Sequence, residues 1–212
     1  MSVFDLIEAG DRDALAAELD RDPELAGERN ADGLSPVLYA LYNGKSELVE
    51  PLLAANPPLD VFDAAAVGRT RGLEELLDGE PELAASWSPD GFMALHLAAF
   101  FGQVEAAKIL LERGAEVNLV ARNANIHVTP LHSAAAGSHA EIVKLLLEHG
   151  ADPNASQDGG FRPLHSAAQN DDRESAEALL EAGADPSLAN DDGKTPADLA
   201  GDETRDLVAQ SH

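Results

Sequence analysis

The sequence predicts an all-α fold made of tandem helix-turn-helix units. Three segments align without gaps: MALHLAAFFGQVEAAKILLERGAEVN from Met93, TPLHSAAAGSHAEIVKLLLEHGADPN from Thr129 and RPLHSAAQNDDRESAEALLEAGADPS from Arg162. The three segments start 36 and 33 residues apart. Self-similarity at such a period is the signature of stacked helical repeats. Apolar residues make up 44% of the chain and aromatic residues only 4%, which suits a core of alanine and leucine between thin helices.

The first helix of the unit at Thr129 is predicted from its two ends. Thr129 can accept a hydrogen bond as the N-cap, and Pro130 suits the first helical position because its missing N–H costs nothing there. The alanines at 134–136 keep the helix thin. Gly137 and Ser138 then supply a flexible stop before the second helix.

The second helix of this unit carries an apolar stripe between residues 142 and 147, which is too wide for one partner and must be covered from two sides. Gly150 ends this helix. The sequence Asp152-Pro153-Asn154 then favours a tight turn that leads into the next unit. Two short antiparallel helices and a protruding turn are therefore expected in each unit.

These residues resemble the ankyrin repeat family, whose pattern is TPLHxAAxxG, then EIVxLLL, then GADxN. The resemblance implies an ankyrin repeat solenoid of about seven helix-turn-helix units with short β-turn fingers. It also implies protein–protein interaction through a concave face, which the fingers and the first helices line in this family.

Seven units are predicted, starting near residues 1, 35, 59, 93, 129, 162 and 195, and together they are interpreted as one domain over 1–212. The short spacing of 24 residues after the unit at 35 indicates that the chain enters the next helix without a protruding turn. The long spacing of 36 residues after the unit at 93 indicates an enlarged turn from Arg122 to His127. The last unit is abbreviated, as expected of a terminal cap.

Residues 1–58 and 59–116 are interpreted as a duplication. The motif VFD recurs at Val3 and Val61, and DPELA at Asp22 matches EPELA at Glu80, both at an offset of 58. Neither VFD segment has the TPLH opening, so these two units are the least regular of the array.

Composition restricts the partners. The formal charge of −25 repels phosphate backbones and anionic lipid, so neither nucleic acid nor membrane is expected as a partner. An acidic surface favours another protein with a basic or mixed basic and apolar surface, although adaptation to a salty cytoplasm would also give this charge. The N-terminal sequence lacks a secretory pattern and no segment is long enough to span a bilayer, so a soluble, cytoplasmic protein is expected.

No enzyme chemistry is predicted. The chain has no cysteine, and the motifs HExxH, GxSxG, GxxxxGK[ST] and GxGxxG do not occur in it. His96, His132 and His165 recur in one slot of successive units, but repeats about 8–10 Å apart cannot share a metal whose bonds to nitrogen are about 2 Å long. These histidines are expected to bond the helix caps instead, and neither metal nor cofactor is expected.

Large apolar residues stand at the slots that face partners in the family, namely the residue before TPLH and the two residues after the alanine pair. Four of the six phenylalanines occupy such slots. A contiguous exposed apolar patch is a candidate binding site. The alternative is that the missing turn tilts the stack and buries Phe100 and Phe101 as additional core. The candidate partner-binding residues are Tyr39, Tyr42, Phe92, Phe100, Phe101, Arg122, His127, Phe161, Gln169 and Asn170.

The expected function is therefore a non-catalytic, monomeric scaffold that binds another protein through its concave face. A self-associating spacer that uses the same patch is an alternative. A small-ligand or metal binder that uses the row of histidines is a further one.

Overall fold

The computed structural model describes residues 2–209, so the predicted unit start near residue 1 and the last three residues of the predicted domain lie outside the described residues. Within residues 2–209 the regular structure consists of α-helices and short 3-10 helices, with no β-strand. This confirms the all-α prediction.

The chain divides into two compact units, residues 1–64 and 65–212, and the boundary falls inside one helix. The interpretation as a single domain stays a prediction. The α-helices are α1 Val3–Ala9, α2 Arg12–Arg21, α3 Pro36–Tyr42, α4 Val49–Ala54, α5 Val61–Ala66, α6 Thr70–Gly79, α7 Ala94–Phe100, α8 Val104–Glu112, α9 Pro130–Ala136, α10 Ala140–Glu148, α11 Pro163–Gln169, α12 Arg173–Glu181, α13 Pro196–Leu199 and α14 Arg205–Ala209. The 3-10 helices are Pro23–Gly27, Ser46–Leu48, Pro81–Ala85 and Asp158–Gly160.

Several helices begin at a residue whose polar side chain caps them. In α1 the Ser2 hydroxyl accepts from the Asp5 N–H, and the Asp5 carboxylate accepts from the Ser2 N–H. Such reciprocal capping satisfies two N–H groups that a helix start leaves without partners. Asp11 caps α2 and Asp172 caps α12 by the same acceptor chemistry.

Within each of the two compact units, the first helices of the repeats pack on one another, and so do the second helices. In residues 65–212 the first helices of the repeats, α7, α9, α11 and α13, pack in sequence, as do the second helices α6, α8, α10, α12 and α14. In residues 1–64, α1 packs on α3 and α2 packs on α4. The buried core of the larger unit contains Leu73, Leu77, Met93, Leu95, Leu110, Leu131, Ile142, Val143, Leu146, Leu164 and Leu179.

The turns that precede the first helices are here called fingers, and each finger is closed by a backbone hydrogen bond of the same type. In each ordinary finger a backbone N–H donates to the carbonyl four residues later, as Ser88 does to Phe92 and Gln157 does to Phe161. In the finger before α9 the bond joins Ala121 N–H to Val128 O, seven residues later. The long spacing therefore corresponds to an enlarged finger.

The short spacing corresponds to a direct passage from α4 to α5 through residues 55–60. Asn56 adopts a left-handed conformation there, with φ of 55°. Pro58 lies so close to Gly27 that a Cβ on the glycine would come within 3.1 Å of the proline Cδ. This segment is therefore packed against the preceding loop.

Candidate binding surface

The recurring histidines complete helix caps, as predicted. His132 Nδ1 accepts hydrogen bonds from the Thr129 hydroxyl at 2.8 Å and from the Thr129 N–H at 3.3 Å. The same nitrogen of His96 accepts from the Met93 N–H. Because Nδ1 is an acceptor, the ring proton resides on Nε2, which in His96 donates to the carbonyls of Leu119 and Val128 at 3.1 and 3.0 Å.

The histidine row is electrostatically neutral. Burial lowers the pKa of His96 and of His132 to about 4, and it also lowers the pKa of His165. The Nε2 atom of His165 donates to the carbonyl of Lys194 at 3.1 Å. The carbonyls of Phe161 and Ala155 next to the His132 ring oppose the effect of burial on its pKa. Among residues 2–209, no three histidine or carboxylate side chains converge as metal ligands would.

Two candidate residues lie in the smaller unit, on α3. Tyr39 is half-buried, its hydroxyl donates to Glu8 Oε1 at 2.6 Å, and its ring packs edge-on against Phe4 at 5.2 Å. Tyr42, the last residue of α3, is 38% exposed. The tyrosine that faces solvent most is therefore at the helix end.

The aromatic candidates of the larger unit differ in exposure. Phe100, at the end of α7, is 47% exposed and packs edge-on against the half-buried Phe101, with ring centroids 5.2 Å apart. Phe100 is therefore not part of the core, which contradicts the alternative in which a tilted stack buries it. Phe92 and Phe161 are half-buried just before α7 and α11, and each ring lies next to the cap histidine of its own helix.

The enlarged finger is held against the finger before it. The Arg122 N–H donates to Gly91 O at 2.7 Å, and the Asn123 amide donates to Asp90 O at 2.8 Å. The Arg122 guanidinium lies 4.3 Å from the centre of the Trp87 ring, a cation–π contact. Arg122 therefore orders the finger through both its backbone and its side chain.

His127 and Asn170 also make contacts within the chain. His127 Nδ1 donates to Asp158 Oδ2 at 2.6 Å, which ties the enlarged finger to the following one. The Asn170 amide donates to the carbonyls of Ala135 and Ala136 at 3.3 and 3.0 Å, which braces α11 against the end of α9. Gln169 is exposed at the end of α11.

Two exposed apolar residues were missed as candidates from the sequence. Ile126 is 48% exposed and lies in the enlarged turn from Arg122 to His127, and Val120 is 45% exposed and lies two residues before that turn. The sequence contained a signal, because Ile126 and Val120 are apolar residues in or next to a turn that is otherwise mostly polar. The prediction took the residue before the TPLH motif in each finger and the two ends of the enlarged turn, Arg122 and His127, so it included neither Val120 nor Ile126.

The second helices form a different surface. Between α10 and α12 lies an open groove of about 500 Å³. Its apolar lining includes Leu147 and Ala182, and its polar lining is one lysine and four glutamates: Lys144, Glu148, Glu174, Glu177 and Glu181. This groove is acidic, whereas the exposed side chains of Phe100, Val120 and Ile126 are apolar.

The repeated caps, fingers and paired helices agree with comparisons with known proteins. The family model described as Ankyrin repeats (3 copies) matches residues 7–121 and 119–190. The chain belongs to the ankyrin repeat family. The curated protein Probable E3 ubiquitin-protein ligase XBOS31 of Oryza sativa subsp. japonica is 37% identical to this ankyrin repeat chain over 73 residues, which are 34% of the chain and 16% of that protein. The similarity thus covers about a sixth of the curated relative.

None of the helices described for this ankyrin repeat protein within residues 2–209 has both the length and the apolar character needed to cross a membrane.

Proposed function

We propose that this protein is a non-catalytic scaffold that binds another protein through the fingers and first helices of residues 65–212. Ankyrin repeats in general mediate protein–protein interaction. The observation that carries the proposal for this chain is the side chain of Phe100, which is 47% exposed at the end of a first helix. Large apolar side chains exposed in this way mark surfaces that a partner covers.

The enlarged finger supports the same surface. Gly91, Trp87 and Asp158 hold it through contacts to Arg122 and His127. A loop that is already ordered loses less conformational entropy on binding. Arg122 and His127 therefore act by positioning the finger. Ile126 within it and Val120 just before the enlarged turn provide apolar contacts.

The partner that fits this protein has an apolar anchor and a basic border. The net charge of −25 attracts basic proteins and accelerates their association, and this effect weakens as salt screens the charges. We propose that the protein acts as a monomer in the cytoplasm. Mass in solution, measured by light scattering, distinguishes this state from self-association through the same patch.

The name of the rice protein includes a ligase activity, but we propose no catalytic role for this chain on that basis. The similarity spans only 16% of that protein. In addition, each cap histidine of this chain already accepts a hydrogen bond from the backbone N–H of the residue before its helix.

Substitution of Phe100 by serine tests the proposed surface. We expect the affinity for a partner captured from the source lysate to fall by about tenfold or more, because truncation of a central apolar anchor costs about 1.4 kcal/mol or more. Isothermal titration calorimetry measures the affinity, and circular dichroism confirms that the variant is folded.

The matched control is Ala182→Ser, which changes an exposed residue that lines the groove between α10 and α12. It should leave the affinity unchanged. If Ala182→Ser weakens binding and Phe100→Ser does not, the partner binds the acidic groove and the proposed surface is wrong.

A further inference from the structure

A buried carboxylate of the smaller unit lies in a cluster of charged groups that the proposed binding function does not use. Asp63 is fully buried, and its Oδ1 accepts a hydrogen bond from the Ser35 hydroxyl. Its Oδ2 lies 3.3 Å from Arg29 Nη2, which also lies 3.0 Å from Asp60 Oδ2. The cluster thus places two carboxylates around one guanidinium.

The position of Asp63 corresponds to that of the cap histidines. Asp63 is the third residue of α5, as His96, His132 and His165 are the third residues of their helices. It accepts weakly from the N–H of Asp60, the residue before the helix, as those histidines accept from their own N-cap N–H groups. A group that can carry a negative charge therefore occupies a buried slot that neutral rings fill elsewhere.

Asp5 and Asp198 hold the same slot in α1 and α13, and both are exposed. Hydrogen bonds from the N-cap residue lower the pKa of each of these two carboxyls. Asp63 differs from them in its burial. The three carboxylates thus accept the same kind of cap hydrogen bond, but Asp5 and Asp198 are in contact with solvent and Asp63 is not.

The charged groups that face Asp63 are Arg29, from the loop before α3, and Asp60, at the start of its own helix. With both carboxyls ionised, the cluster carries a net charge of −1. Burial raises the pKa of Asp63 to about 6, and the neighbouring Asp60 contributes in the same direction. The Ser35 hydroxyl and Arg29 oppose this rise.

We propose that the Arg29, Asp60 and Asp63 cluster is a proton-responsive element that binds one proton on mild acidification and thereby stabilises residues 1–64. The folded form then binds more protons than the unfolded chain between pH 6 and the ordinary carboxyl pKa of 3.8. The stabilisation is fully present below this window and is lost as the pH rises through 6. The cap histidines of residues 65–212 respond in the opposite direction.

Hydrogen exchange of the full-length protein at about pH 7 and about pH 5 tests the proposal. The measured rates are first corrected for the intrinsic exchange rate at each pH. Protonation of Asp63 should then make the opening equilibrium constant of amides in α3 and α4 about tenfold smaller at pH 5 than at pH 7. The reference is Asp63→Asn, in which this additional protection should disappear. The same pH dependence in Asp63→Asn and in the wild type would overturn the proposal.

Asp60→Asn provides a second readout if Asp63→Asn does not fold. Asparagine remains a good N-cap, but the substitution removes the like charge next to Asp63. The titration of the Asp63 carboxyl carbon, followed by ¹³C NMR, should have a midpoint well above 3.8 in the wild type and a lower one in Asp60→Asn. A wild-type midpoint at or below 3.8, or an unchanged midpoint in Asp60→Asn, would contradict the cluster as the origin of the response.

Discussion

Acidification from about pH 7 to about pH 4 is expected to reduce the free energy of unfolding of the histidine-bearing repeats by about 3 kcal/mol for each of His96 and His132. Both side chains are buried, and burial lowers their pKa from 6.5 to about 4. The unfolded chain therefore binds more protons between these two values. The stabilising contribution is complete above pH 6.5 and is lost as the pH falls toward 4.

Chemical denaturation of the wild type and of a His96→Gln, His132→Gln variant across this pH range measures the effect. Glutamine does not titrate and is a capping-box residue at the third helical position, so the variant can retain the cap acceptor. It should be less stable than the wild type at neutral pH and should lose less stability on acidification. If the two proteins lose equal stability, other groups cause the acid sensitivity.

Gly91→Ala is expected to destabilise the protein by about 3 kcal/mol. Gly91 has φ of +86°, and an added Cβ would lie 2.5 Å from the backbone carbon of Arg122 and 2.6 Å from the backbone nitrogen of Asn123. Backbone atoms cannot rotate away as a side chain can. The enlarged finger must therefore separate from the finger before it, with loss of the bond from the Arg122 N–H to Gly91 O.

Gly114→Ala is the matched control for this substitution. Gly114 has the same φ of +86°, but nothing lies within 4 Å of its added Cβ. Its cost should be limited to the left-handed conformation, about 1–2 kcal/mol. Thermal unfolding gives both costs, and exchange of the Arg122 amide reports on the finger. Equal costs in the two variants would show that the contact between the fingers contributes nothing.

The helix caps and finger lengths could be predicted because they depend on neighbouring residues. The threonine at 129, the proline at 130 and the histidine at 132 lie within one helical turn, so their interaction is encoded locally. The spacing between repeats likewise indicated the enlarged finger before α9 and the direct passage into α5.

The contacts between repeats could not be predicted in the same way. Arg122 stacks on Trp87 and Asn170 bonds to Ala136, each pair more than thirty residues apart in sequence. Repeat spacing does not determine which side chains meet across neighbouring units. For this reason Arg122 was predicted only as a partner-binding residue, and its role in ordering the finger emerged from the structure.

The buried carboxylate was missed for a different reason. The VFD motif was recognised as a repeated element, but Asp63 was not aligned with the cap histidines because the TPLH opening is absent there. Moreover, Asp5 has the same local sequence and is exposed. Burial of Asp63 depends on the loop that carries Arg29 and Ser35, which local sequence does not reveal.

Site-specific photo-crosslinking tests the proposed binding surface most directly. A photoreactive phenylalanine analogue placed at Phe100 replaces an aromatic residue with a similar one, and placement at Ala182 samples the groove between α10 and α12. After irradiation in the source lysate, we predict a protein adduct from position 100 that diminishes at high salt, and none from position 182. An adduct from position 182 alone would contradict the assignment of binding to the fingers and first helices.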